Sequence, residues 1–280
     1  AAMVNQKAAS LSTTYSQDYV LVANAEKGDT ATINSWLTKY TEADPQMCFI
    51  GEGMFGITAI LDPERMNFTY DDFEYVENLY SSIFVASARK ELGLTSIDAL
   101  KAYLEEGNQI MVGTNGATGS EAFLAAALIG AMGYGDQFYL IPYESAAEAA
   151  QAVARGEVDI AVSHQSQILE TWQQGGVDVF AAFDGEPIAQ GPFKGVEGVG
   201  QYGYPYFRNR CFIFAKAGAD EQKIADLKAL YAQILTDKEM VDWLNNTMLL
   251  EADMMTEEEV IAHIDNVKNI VEEYYDLVAE

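Results

Sequence analysis

Residues 109–130 constrain the fold more than any other stretch. Gln109-Ile-Met-Val112 is an apolar run of strand length. Gly113-Thr-Asn-Gly-Ala-Thr-Gly-Ser120 is rich in glycine and hydroxyls, and Glu121-Ala-Phe-Leu-Ala-Ala-Ala-Leu-Ile-Gly130 has the composition of a buried helix. A strand running through such a turn into a helix aims the unpaired N–H groups of the first helical turn at whatever lies in front, making an anion cradle. A weaker version stands upstream, where Met47-Cys-Phe-Ile50 leads through Gly51-Glu-Gly-Met-Phe-Gly56 into Ile57-Thr-Ala-Ile-Leu61. Two cradles in one chain suggest a ligand gripped from two sides.

The flanking sequence predicts an α/β protein. A helix is expected within Ala1–Ser16, a strand at Asp18–Asn24, a helix over Ile33–Tyr40, and extended chain over Phe73–Ala88. From Thr95 strands and helices alternate. Thr95-Ser-Ile-Asp98 resembles a capping box, Gln137–Ile141 a strand, Ser145 the cap of the helix 146–154, and Gly156 its stop. Strands at Val158–Val162 and Val177–Phe183 flank a helix over Gln165–Trp172. This rhythm predicts parallel strands covered on both faces. Asp184–Arg208 is a long irregular stretch, Arg210–Lys216 a returning strand, and helices follow at 219–235 and 237–246. The last helix opens on a Thr256–Glu259 box and carries the stripe Val260, Ile261, Ile264, Val267, Ile270, Val271, Tyr274, Tyr275 and Val278, as expected of a helix lying on a core.

Composition excludes some partners. Against 43 acidic residues stand only 16 Lys plus Arg, a formal charge of −27, which repels nucleic acid and anionic membrane surfaces. An anion site in such a field has to be built from local dipoles. Cys48 and Cys211 each lie in an apolar strand-like run, so buried thiols are expected, with an inter-strand disulfide left open by spacing. The first residues lack the charged start and apolar core of a signal peptide, and no apolar run is long enough to span a bilayer.

The main turn is neither G-x-G-x-x-G nor a P-loop, since Gly119 is followed by Ser-Glu instead of Lys-Ser/Thr. No Lys or Arg lies within it, and Glu121 opposes a phosphate dianion. The hydroxyls and amides of Thr114, Asn115, Thr118 and Ser120, with the backbone N–H groups of a turn that holds Gly116 and Gly119, suit a singly charged carboxylate better. A loop that merely needs its glycines is the plain alternative. Ser163 and Gln165 end a strand where open α/β sheets bind ligands. Tyr143, expected just past a strand end, is placed to pack against a ligand. His164 and His263 have no second His or Cys at ligand spacing, and neither a catalytic pair nor a nucleophile elbow stands out. No metal or cofactor is expected.

The order of these segments is similar to that of the extracytoplasmic solute receptors of tripartite tricarboxylate transporters, from about Ser16 to Asn246. The resemblance rests on Ser96–Leu104 with Val112–Ser120, on Ile141-Pro-Tyr-Glu-Ser145 and its helix, on Arg155-Gly-Glu-Val-Asp-Ile-Ala-Val-Ser163, and on Phe212-Ile-Phe-Ala-Lys-Ala-Gly-Ala219. Glu144-Ser145 stands where the family usually has Lys/Arg-Gly. The family's first strand and Gly-rich loop are expected to be missing from the start of this chain.

The resemblance implies a two-lobed, type II periplasmic-binding-protein-like α/β fold, each lobe a largely parallel sheet flanked by helices. Lobe one comprises 1–88 and 209–280, lobe two 89–208, with a carboxylate held in the cleft between them. It implies a non-enzymatic, monomeric receptor outside the cytoplasm, membrane-anchored through a removed N-terminus if at all, that delivers its ligand to membrane transporter subunits. The resemblance marks Gly51, Glu52, Gly53, Asn115, Gly116, Thr118, Gly119, Ser120, Tyr143 and Ser163 as site residues, and the strand-end reading adds Gln165. Arg208 and Arg210, near the expected hinge, are candidates for a second carboxylate, against a default of surface placement. The alternatives are an enzyme on the same scaffold, such as a small transferase, or a ligand-sensing domain.

Overall fold

The computed structural model describes residues 2–11, 29–40 and 47–279. The strand expected at Asp18–Asn24 lies outside them. The chain forms two compact units, one comprising residues up to Ser81 together with Asn209–Lys268, the other Ser82–Arg208 together with the residues from Asn269 on.

The first unit holds helices α1 (Ala2–Leu11) and α2 (Asp29–Lys39), and a three-stranded sheet ordered β1 (Cys48–Gly51), β8 (Asn209–Lys216), β2 (Phe73–Ser82, whose last residue belongs to the second unit). Strand β8 explains how the sheet is buried on both sides. Its alternate residues Cys211, Ile213 and Ala215 enter one core with helix α7 (Glu221–Thr236), while Phe212 and Phe214 enter the other with Phe55, Phe68 and Phe73. In the second core the Phe55 ring meets Phe73 and Phe214 edge-on, each at 5.7 Å. Full burial of each such side chain contributes about 1.5–3 kcal/mol. Strands β1 and β8 pair antiparallel, Gly51 opposite Cys211 and Cys48 opposite Phe214. The two cysteines therefore sit three residues out of register on neighbouring strands, and both are free thiols. Burial raises both thiol pKa values, that of Cys211 to about 11.

The second unit carries a five-stranded sheet ordered β5 (Phe138–Tyr143), β4 (Ile110–Asn115), β6 (Ile160–His164), β3 (Phe84–Arg89), β7 (Val177–Ala182). Strand β4 is parallel to β5 and β6, as strand–helix alternation implies. Strand β3 is antiparallel to both of its neighbours, so the sheet is mixed. The reason is connectivity: β3 follows β2 after a single intervening residue, Ile83, and enters the sheet without a crossover helix. Helices α3 (Ile97–Glu105), α4 (Ser120–Ala131), α5 (Ala146–Ala154) and α6 (Gln165–Gln173) belong to the unit, together with the end of the last helix from Asn269 on. Every residue of α4 from Glu121 to Ile129 is buried, and after Glu121 that segment is apolar all round, as such burial requires.

Several local expectations shift by a residue or two. Ser96, one place after Thr95, caps α3 by accepting the Ala99 N–H. Pro142 and Tyr143 belong to β5 itself, because β5 is an edge strand and tolerates a residue without an N–H. After α8 (Lys238–Trp243), the final helix α9 (Glu257–Ala279) buries Val260, Ile264, Val267, Ile270 and Val271, whereas Ile261 and Tyr275 are more than 40 % exposed and lie off its stripe. No helix among the described residues is long and apolar enough to cross a membrane.

Candidate carboxylate site

Strands β4, β5, β6 and β7 run in one direction, so their C-terminal ends share one edge of the second unit's sheet. That edge gathers Asn115–Ser120, Tyr143, Ser163–Gln165 and Asp184. The Gly-rich turn is shaped from within. Thr114 is buried and its hydroxyl donates to the Gly116 carbonyl at 2.8 Å, while the Gly116 N–H donates to the Tyr143 carbonyl at 3.0 Å. Gly116 has φ +74°, a left-handed conformation that favours glycine. Gly119 is the N-cap of α4 and supplies no side-chain cap to its first turn. The turn thus presents backbone N–H groups at a helix start, with Asn115 and Thr118 exposed beside them and Ser120 half-buried.

Ser163 is fully buried in β6, and its hydroxyl has no hydrogen-bond partner. Beside it His164 stacks on Phe84 at 4.3 Å, and its Nδ1 lies 3.3 Å from the Ser82 hydroxyl. Burial pushes the imidazole pKa down to about 4, so the ring is neutral near pH 7. Gln165 is buried as the first residue of α6. The ring of Tyr143 leans over Gly113, where an added Cβ would meet it at 3.4 Å.

Arg208 is spent on Asp184, with Nε 3.3 Å from Oδ1 and Nη2 against Oδ2, and Asp184 also accepts the Gly185 N–H at 2.7 Å. All five arginines of the chain are in ion pairs: Arg65 with Asp62, Arg89 with Asp159, Arg155 with Glu157, Arg208 with Asp184 and Arg210 with Asp253. The pairing of Asp184 with Arg208 was not expected from the sequence, which offered Arg208 for a second carboxylate. Thr114, whose hydroxyl was expected to suit a carboxylate, donates to the turn itself; the ion pair, 24 residues apart in sequence, left no signal.

The upstream echo is built differently. Helical backbone begins at Glu52, immediately after β1, and passes through a π-helical stretch at Met54–Thr58. No open turn intervenes. Glu52 is 1 % exposed; it accepts from the Arg210 N–H at 2.9 Å and from Asn209 Nδ2 at 3.1 Å. Gly56 is needed for packing, because a Cβ there would stand 2.4 Å from Val267 Cγ1. Gly51, Glu52 and Gly53 lie in the first unit and the remaining candidates in the second.

The sequence profile described as the tripartite tricarboxylate transporter family receptor, TctC, matches residues 19–270. The chain belongs to that family. Its resemblance over four segments is thereby borne out across most of the sequence. Direct comparison with curated proteins gives no match. Among solved structures, this TctC-family receptor is similar to a TctC solute-binding protein from Polaromonas, at 15 % identity and TM-score 0.79, with 96 % of this chain and 93 % of that one covered. It is equally similar to Rpa4515 of R. palustris with adipate, at 14 % identity and TM-score 0.79, covering 99 % and 92 %. MatC of Rhodopseudomonas palustris with bound malate gives 17 % identity and TM-score 0.61, covering 92 % and 97 %. These likenesses establish the type II periplasmic-binding-protein fold. Family membership makes the protein an extracytoplasmic solute receptor that works with membrane transporter components, and not an enzyme.

Proposed function

We propose that this receptor captures a small organic carboxylate, as a monomer, at the C-terminal strand edge of its second unit and delivers it to the membrane subunits of its transporter. The observation that carries this reading is the helix start of α4, left without a side-chain cap behind Gly116 and Gly119, on the same sheet edge as the buried, unpartnered Ser163 hydroxyl. Asn115, Gly116, Thr118, Gly119 and Ser120 supply the cradle, and Ser163 and Gln165 its floor. Each helix-start contact contributes about 0.3–1 kcal/mol, so affinity comes from several donors acting together. With Arg208 held by Asp184, the carboxylate is met by dipoles and hydroxyls, in keeping with a chain of such negative charge. Adipate in Rpa4515 and malate in MatC make dicarboxylates the first ligands to try.

The test is thermal unfolding against mono-, di- and tricarboxylates and their amides. A ligand at a hundred times its Kd stabilises the folded protein by roughly 2.7 kcal/mol. A rise with one carboxylate class and none with its amide supports the reading. A flat response to every carboxylate overturns it.

A further inference from the structure

The first unit carries a groove that the carboxylate reading does not use. It has a volume of about 490 Å³, within the roughly 300–1,000 Å³ typical of binding sites. Phe55 and Phe68 form its floor, Met66 and Ile261 its walls, and Asp71 and Asp265 its rim. The floor is preformed: Phe55 and Phe68 pack edge-on at 6.2 Å within the aromatic core that also holds Phe73 and Phe214. Ile261 is the informative residue. It is 44 % exposed and stands off the buried stripe of α9, beside a cavity already lined by apolar side chains.

The charge around the groove has one sign left over. Its one lining cation, Lys268, lies 3.5 Å from Asp265, and the neighbouring Arg65 is bonded to Asp62. Asp71, Glu64 and Glu258 remain exposed on the same segments with no cation bonded to them among the described residues. An apolar slot with an acidic rim complements an apolar side chain flanked by Lys or Arg.

We infer that this groove docks an extracytoplasmic loop of the transporter's membrane component, with an apolar residue seated on Phe55 and Ile261 and a basic neighbour facing Asp71. The inference rests on the proposed delivery of ligand to a membrane transporter, but none of the groove residues belongs to the carboxylate cradle.

The experiment uses the whole chain and three capped peptides: one alternating Leu with Lys, one with Ser for each Leu, and one with Glu for each Lys. The Leu–Lys peptide binds the wild type, the other two bind at least tenfold more weakly, and Ile261→Ser weakens the Leu–Lys peptide by about tenfold, as loss of one buried isoleucine implies. Asp71→Asn weakens it further. In proteoliposomes holding the transporter's own membrane components, Ile261→Ser raises the receptor concentration needed for half-maximal uptake while leaving the thermal shift by its carboxylate unchanged. Equal binding of the Ser–Lys peptide, or indifference of the Leu–Lys peptide to Ile261→Ser, means plain attraction to an acidic surface and overturns the inference. So does unaltered uptake. A dimer in sedimentation that Ile261→Ser dissociates assigns the groove to a second copy and overturns it as well. Failure of every carboxylate to shift the wild type defeats the carboxylate reading while leaving the peptide result standing.

Discussion

A Cβ on Gly119 would stand 2.8 Å from the carbonyl oxygen of Asn115. Those two residues close the turn in front of α4, and a backbone atom cannot swing aside as a side chain can. Gly119→Ala therefore has to move the turn. We expect it to cost about 1–3 kcal/mol in urea unfolding and to weaken carboxylate binding, measured calorimetrically, by about tenfold or more as several donors lose alignment. Wild-type affinity in this variant would remove the turn from the site.

Ser163→Ala separates a ligand contact from a packing role by sign. The hydroxyl is buried and unpartnered, so its removal leaves no broken hydrogen bond behind. Stability without ligand should hold or rise slightly, while carboxylate affinity falls by about 0.5–1.5 kcal/mol, the worth of one hydrogen bond. A loss of stability with unchanged affinity would make the hydroxyl structural.

Glu52 predicts the opposite pattern. Glu52→Ala leaves the Arg210 N–H and the Asn209 amide facing a buried gap, at a cost of about 1–3 kcal/mol in chemical unfolding. Carboxylate affinity should be retained. Loss of binding at full stability would return Glu52 to the list of ligand residues.

His164 gives a pH signature. Its folded pKa, about 4, lies below the ordinary value of 6.5, so between those values the unfolded chain binds the extra proton. The stability associated with the neutral ring is complete above pH 6.5 and is lost as pH falls toward 4, by a few kcal/mol in all. His164→Phe keeps a ring against Phe84 and should flatten that part of the stability–pH curve. An unchanged curve would show that carboxylates elsewhere account for the slope.

Local order settled much of this in advance. Ser145 and the Thr256–Glu259 box cap the helices they were expected to cap, with Ser145 Oγ accepting the Glu148 N–H at 3.2 Å and the Thr256 N–H reaching Glu259 at 2.7 Å. Capping and strand alternation involve neighbours a few residues apart, so they are written in the sequence. The strand–turn–helix at 109–130 was legible for the same reason.

What the sequence by itself determined is therefore the family, the α/β class, the elements and the main turn. The tertiary structure decided what each candidate side chain faces. Glu52 and Asn115 look alike in sequence, both polar and both beside a strand end, yet one is enclosed by Asn209 and Arg210 and the other is exposed. Strand β3 runs against its neighbours, Arg208 is taken by Asp184, and Ile261 stands outside its stripe over a groove. Each of these depends on residues far apart along the chain. Direction, burial and pairing at such distances follow from how whole elements pack, and no local pattern of residue types carries that information.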